Sequence, residues 1–162
     1  MKMIIHDLDK RYDSTLEGLC DRVVSADGKY APCQGCFGCW TKHPAECRMK
    51  DSLQQICRLI GLADEVVIVT KNLYGGYSAA VKNVLDRSIG TSTPFSTYRG
   101  RQMHHTLRYG MHELWKVIVY AEITQAEKET FRLLSERNAL NDGYRRSEVE
   151  FLADLGELEG QL

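Results

Sequence analysis

Four cysteines crowd into one short stretch, Cys33-x2-Cys36-x2-Cys39-x7-Cys47. Four thiolates are the number that a [4Fe–4S] cluster requires, and compact C-x2-C spacing lets a single loop wrap a cuboidal cluster. A structural zinc site draws its cysteines as C-x2-4-C pairs, and the last gap here is too wide for that. The competing reading is a glycine-rich loop whose cysteines are small packing residues or free thiols. Cys20 and Cys57 fall in segments that read as helical and are expected in the core.

A second group is Lys71-Asn72-Leu73-Tyr74-Gly75-Gly76, followed by Tyr77 and Ser78. Glycine lets backbone approach a flat ring closely, and Ser78 can cap the next helix. The bland reading is a plain strand-to-helix loop. A third group is cationic: Arg101, His104, His105, Arg108 and His112. Such a cationic rim, with His105 and Arg108 as its candidates, suits an anionic ligand, against the alternative of a surface loop packed on a neighbouring subunit. Lys82 and Asp86 stand four apart on a helix, a pair worth a few tenths of a kcal/mol, and Arg87 next to them is expected to face a partner chain. Asp51 reads as a helix cap, and Trp40 and Trp115 as packing residues. No Ser–His–Asp or Cys–His arrangement is placed together, so hydrolysis has no support.

These groups need elements to position them. Met3–Ile5, Arg22–Ser25, Glu65–Thr70, Val117–Tyr120 and Glu148–Leu152 read as strands, and continuous apolar runs such as Val66–Val69 suit parallel strands covered on both faces. Helices are expected after Asp51, after Ser78 and from Thr124 to about Leu140, the last with a capping-box pattern. Gly90–Glu113 reads as a long loop. Strands alternating with helices give βαβ units and a parallel sheet, whose ligands sit beyond the carboxyl ends of its strands. The loops Asp7–Ser14, Lys71–Tyr77 and Gly90–Glu113 are all expected at that edge.

The chain has 162 residues, so residues 1–162 read as a single domain. Lys plus Arg is 21 and Asp plus Glu is 22, for a net charge of −1, which gives no electrostatic case for nucleic acid. No apolar run approaches the ~20 residues of a membrane span, and charges interrupt the N-terminus by Asp7. A cytoplasmic protein is expected, with its thiols reduced.

Taken together, the cysteine loop, Cys47-Arg-Met-Lys-Asp51, Ala63-Asp-Glu-Val-Val67, Leu73 to Lys82, Leu85-Asp-Arg87 and Met103-His-His105 with Arg108-Tyr109 resemble one family. It is the flavodoxin-like NAD(P)H-dependent FMN reductases, including their iron–sulfur flavoprotein branch. The resemblance implies a five-stranded parallel sheet in order 2-1-3-4-5 and FMN at its carboxyl edge. It also implies NAD(P)H with a small acceptor such as a quinone or free flavin, and a dimer or tetramer. Lys71, Asn72, Leu73, Tyr74, Gly75 and Gly76 then become the flavin-ring loop, and His105 and Arg108 the acceptor side.

Two stretches depart from the family. The phosphate loop would be Asp9-Lys-Arg-Tyr-Asp-Ser14-Thr15, which has no glycine and carries two aspartates. Only the 13 residues Asp9–Asp21 are left for the first crossover, near the minimum of about a dozen, so its helix is truncated to at most two turns. Ser14 and Thr15 are the remaining phosphate donors, with Lys10 and Arg11. At the ring loop, Thr70-Lys71-Asn72-Leu73-Tyr74 stands where the family has Thr-Pro-x-Tyr. Three functions follow as alternatives: an FMN-dependent NAD(P)H oxidoreductase; a cofactor-free relative that lost the phosphate site; and an iron–sulfur flavoprotein electron carrier with Cys33, Cys36, Cys39 and Cys47 as ligands.

Overall fold

The computed structural model describes residues 1–162. Its strands are β1 (Lys2–His6), β2 (Arg22–Ser25), β3 (Glu65–Lys71), β4 (Ser92–Arg99), β5 (Gln102–Leu107), β6 (His112–Tyr120) and β7 (Tyr144–Phe151). Five of them form one parallel sheet in order β2-β1-β3-β6-β7. Counting only the strands of that sheet, this is the expected 2-1-3-4-5. The helices are α1 (Asp13–Glu17), α2 (Ile56–Leu62), α3 (Ala79–Asp86) and α4 (Gln125–Asp142). No helix is long and apolar enough to cross a membrane.

Side chains alternate between the two faces of the sheet, and the buried residues divide accordingly. Met3, Ile5, Val66, Ile68, Trp115, Val117 and Val119 pack with Ile56, Ile60, Val81, Val84 and Phe131 of α2, α3 and α4. Ile4, Val67, Val69 and Ile118 face the other way. There the cover is thin: Leu16 from the five-residue α1 and Leu158 from a 3-10 segment at Leu155–Gln161.

Local chemistry sets the helix starts. Ser78 Oγ accepts the Val81 N–H at 3.3 Å to begin α3. Thr124 and Glu127 form a reciprocal capping box on α4, and Gly143 ends it in the left-handed region at φ 86°. The helix expected from Asp51 begins only at Ile56, because Asp51 caps a preceding turn through the Leu53 N–H at 3.0 Å. Cys57 is buried in α2, whereas α1 stops at Glu17 and leaves Cys20 outside any helix.

The Gly90–Glu113 stretch is not a loop. It folds into the antiparallel hairpin β4–β5, turned at Gly100 with φ 61°. Nor does it lie at the carboxyl edge. In a parallel crossover the chain leaving α3 must return to the amino end of the next strand, and the hairpin feeds β6 there: the His112 N–H, at the start of β6, donates to Gly143 O at 2.8 Å, beside the start of β7.

Candidate functional site

At the carboxyl edge, β1, β3 and β6 end side by side, and Asp7 is the first residue beyond β1. Its carboxylate accepts the Tyr120 hydroxyl at 3.0 Å, the Lys71 N–H at 3.1 and 3.2 Å, and the Thr70 hydroxyl at 3.3 Å. Burial, then the charge of Asp7, pushes the Tyr120 phenol well above its ordinary value, so it stays protonated as a donor. Two residues on, the Asp9 carboxylate accepts the Arg11 N–H at 3.0 Å. Asp13 opens α1 with one oxygen 3.3 Å from the fully buried His6 ring. Burial lowers the His6 pKa against the pull of Asp13 and Asp7. Ser14 and Thr15 lie exposed on α1.

The ring loop is a tight hairpin turn. The Leu73 N–H donates to Gly76 O at 3.0 Å and the Gly76 N–H to Leu73 O at 3.1 Å. Tyr74 and Gly75 both adopt positive φ, 53° and 77°, as a two-residue turn of this kind requires. Asn72 fastens it: its Oδ1 accepts the Gly75 N–H at 3.0 Å and its Nδ2 donates to Glu122 O at 2.9 Å. The N–H groups of Leu73, Gly75 and Gly76 are therefore engaged within the loop. What it offers outward is side chain: Tyr74 is 89% exposed and Leu73 48%. Lys71 ends β3 with its side chain exposed.

Beside Gly76 opens a groove of ≈ 690 Å³ between α3, α4 and the hairpin, a volume suited to a small organic ligand. Lys82 and Asp86 form an ion pair on one wall. On the other, the Asn138 amide donates to the Tyr77 hydroxyl at 3.3 Å, and His104 Nδ1 lies 3.1 Å from Asn141 Oδ1. Asp142 closes the far end, accepting the Thr91 hydroxyl at 3.0 Å, and burial pushes its carboxyl up to about 6. His105 lines the same groove and packs on Trp40 with ring centres 4.7 Å apart. Arg108 does not line it; its guanidinium donates to Gly90 O at 3.2 Å and Ser92 O at 3.4 Å, tying down the hairpin base. Sequence reasoning missed Asn138, Asn141 and Asp142. Their spacing from Leu134 puts all four on one helical face, which was the available signal.

Cys33, Cys36, Cys39 and Cys47 line one small cavity of ≈ 30 Å³ with Arg87. Cys33 and Cys36 are exposed, Cys47 is half-buried and Cys39 is buried. Arg87 does not face a partner chain. It is 1% exposed, donating to Asp51 at 2.5 Å and to Ala31 O at 3.0 Å, and it leaves Nε and Nη2 without partners. Cys57 Sγ donates to Arg87 O at 3.0 Å. No three His, Cys, Asp or Glu side chains converge as a metal site. The donor chemistry of this loop suits a cluster, and as arranged its thiols do not gather at one point.

Residues 21–106 match the NADPH-dependent FMN reductase family. The chain belongs to that family. An iron–sulfur flavoprotein of Archaeoglobus fulgidus is 35% identical over 74 residues, 45% of this chain and 37% of that protein. The aligned region thus spans little more than a third of that relative. Among solved structures, an NAD(P)H:quinone oxidoreductase from Methanothermobacter marburgensis superposes with a TM-score of 0.56 at 14% identity, over 98% of this chain and 91% of that one. An FMN-dependent NADH-azoreductase from Bacillus anthracis, solved in complex with FMN, gives 0.55 at 12% identity, over 93% and 85%. At these identities the likeness is one of fold.

The family's chemistry is that of FMN, yet the phosphate half of such a site does not fit here. An anion cradle needs free N–H donors. Asp7 has taken the Lys71 N–H and Asp9 the Arg11 N–H. A helix of five residues with an aspartate in its first turn is no substitute.

Proposed function

We propose that the chain is an oxidoreductase that passes a hydride from NAD(P)H to a small oxidised acceptor, a quinone or a flavin. The observation that carries this reading is the family match over residues 21–106, which takes in the ring loop, α3 and the hairpin. The geometry supports it in two places. Tyr74 and Leu73 present an exposed aromatic and apolar surface at the carboxyl edge. The groove beginning at Gly76 then gives the acceptor a mixed polar and apolar cleft, with His105 in its wall and Arg108 holding the strand that carries His105. The protein's own part is to bind, orient and exclude water. A homo-oligomer belongs to this reading, because Phe95, Tyr98 and Met103 leave an apolar surface on the hairpin, 73%, 75% and 65% exposed.

The test is oxidation of NADH and of NADPH by purified protein with a quinone and with free flavin. Turnover with at least one pair is expected, and Asn138→Leu, which fills the groove, should raise the acceptor KM more than it lowers kcat. A flat baseline with every pair would remove the reading.

A second reading rests on the cysteine cavity. Buried Arg87 lines that cavity with the four thiols, and two of its nitrogens have no partner. An iron–sulfur cluster would require the 33–47 loop to close around it. Iron and sulfide assays on anaerobically purified protein test this, and finding neither excludes it.

A further inference from the structure

We propose that the carboxyl edge of the sheet at β1 and β3 selects against a ligand phosphate, so that a flavin bound there is recognised by its ring and uncharged side chain, and riboflavin is preferred to FMN. This rests on the oxidoreductase reading only for the presence of a flavin.

Ligands of an open parallel sheet settle where the strand order reverses. In this sheet that point is the β1/β3 boundary, with β2 on one side of β1 and β3 on the other. Asp7 fills it. Donors from two further strands converge on its carboxylate: the Thr70 hydroxyl and Lys71 N–H from β3, and the Tyr120 hydroxyl from β6. These are hydrogen-bond donors presented at this point of the sheet edge, and the chain has supplied its own anion to them. A phosphate on the adjoining Asp9–Thr15 loop would meet this carboxylate and find those donors taken.

Asp9 holds the nearest loop N–H, and Asp13 stands in the first turn of α1. The cations of these segments, Lys10, Arg11 and the exposed Lys71 at the end of β3, form no ion pair with these carboxylates. Lys10 and Arg11 are exposed, and the Arg11 guanidinium leans on the Tyr12 ring 5.2 Å away. Asp7, Asp9 and Asp13 lie outside the family match, which begins at residue 21.

The site's polarity is therefore inverted, from donors that hold an anion to acceptors that hold donors. Ionised carboxylates only accept. The hydroxyls of an uncharged polyol chain can donate to them, whereas a phosphate dianion cannot. The isoalloxazine ring would still find Tyr74 and Leu73 exposed at the same edge.

The experiment is a fluorescence-quenching titration of the intact chain with riboflavin and with FMN, repeated for Asp7→Asn and Asp9→Asn, with thermal melts to show that each variant is folded. The wild-type chain should bind riboflavin about tenfold more tightly than FMN, since like charges placed together cost at least that factor. Salt should narrow the gap, and Asp7→Asn should bring the ratio towards one. FMN binding as tightly as riboflavin, neither flavin binding, or a ratio unmoved in both folded variants would each overturn the proposal. NADH and NADPH oxidation with quinone and with free flavin on the same preparation separates the two claims. Turnover with FMN the tighter ligand defeats only this inference, whereas a riboflavin preference with no turnover defeats only the oxidoreductase reading.

Discussion

Replacing Asp51 with Asn should destabilise the protein by about 3 kcal/mol, and replacing Arg87 with Met should cost less. The pair is lopsided in burial. The Arg87 side chain is fully buried, while that of Asp51 keeps 19% of its surface. Asp51 also accepts N–H groups of Ala31 at 3.1 Å and Leu53 at 3.0 Å. Removing one partner of a buried pair costs ~3–5 kcal/mol, because the other is left as an uncompensated buried charge. Asp51→Asn leaves such a charge on Arg87; its retained N–H contacts put the loss at the low end. Arg87→Met removes the buried charge and leaves a carboxylate that water already reaches, for about 1–2 kcal/mol. The double variant should therefore resemble Arg87→Met alone. Burial works to raise the Asp51 pKa, but Arg87 and the two N–H groups outweigh it and hold the carboxyl below its ordinary range. A depressed acid contributes stability above its unfolded pKa and loses it as pH falls through the folded one, so the penalty of Asp51→Asn should fade in acid. Urea denaturation gives the free energies, and limited proteolysis of the 33–50 segment reports whether the cysteine loop has come loose. Arg87→Met proving the worse variant, or both lying within about 0.5 kcal/mol of wild type, would refute the reasoning.

Gly75→Ala should cost about 1–3 kcal/mol, since φ is 77° and a Cβ would stand 3.1 Å from Glu127 O, whereas Gly76→Ala, meeting nothing closer than 3.6 Å, should be tolerated; paired thermal melts decide. Thr124→Ala removes the Oγ that accepts the Glu127 N–H at 3.3 Å and should lower stability by about 1 kcal/mol, read in the same melts. Burial raises the Asp142 acid to about 6, so the folded state holds a proton that the unfolded chain has lost. Its contribution to stability should fall as pH rises from about 4 to 6 and stay level above. Asp142→Asn should remove that slope and stabilise the protein at neutral pH, and a melting series across this range checks it.

What was legible in the sequence follows the range of the interactions. Val66 to Val69 and Val117 to Val119 read as buried strands because a parallel sheet covered on both faces needs continuous apolar runs, and the structure leaves none of them more than 1% exposed. Ser78 and Thr124 were readable because a cap bonds within its own turn. The hairpin escaped because β4 and β5 are largely exposed and polar; without a buried face there is no alternation to detect. Arg87 escaped for the opposite reason. Its partner Asp51 lies 36 residues away, and nothing nearby in sequence says that a helix-end arginine is buried.

Asp7 shows where such reading stops. Composition alone gave the sign of the effect for the neighbouring loop, since Asp9 and Asp13 repel phosphate. It could not give the mechanism, because Thr70, Lys71 and Tyr120 are 63, 64 and 113 residues distant and only sheet closure makes them neighbours. A loop that merely lacked a cradle would leave those donors to water and to any anion that arrived. A loop whose carboxylate has claimed them opposes the anion with both charge and lost hydrogen bonds. Replacing Asp7 separates the two cases, since only the second predicts that deleting a side chain improves phosphate binding.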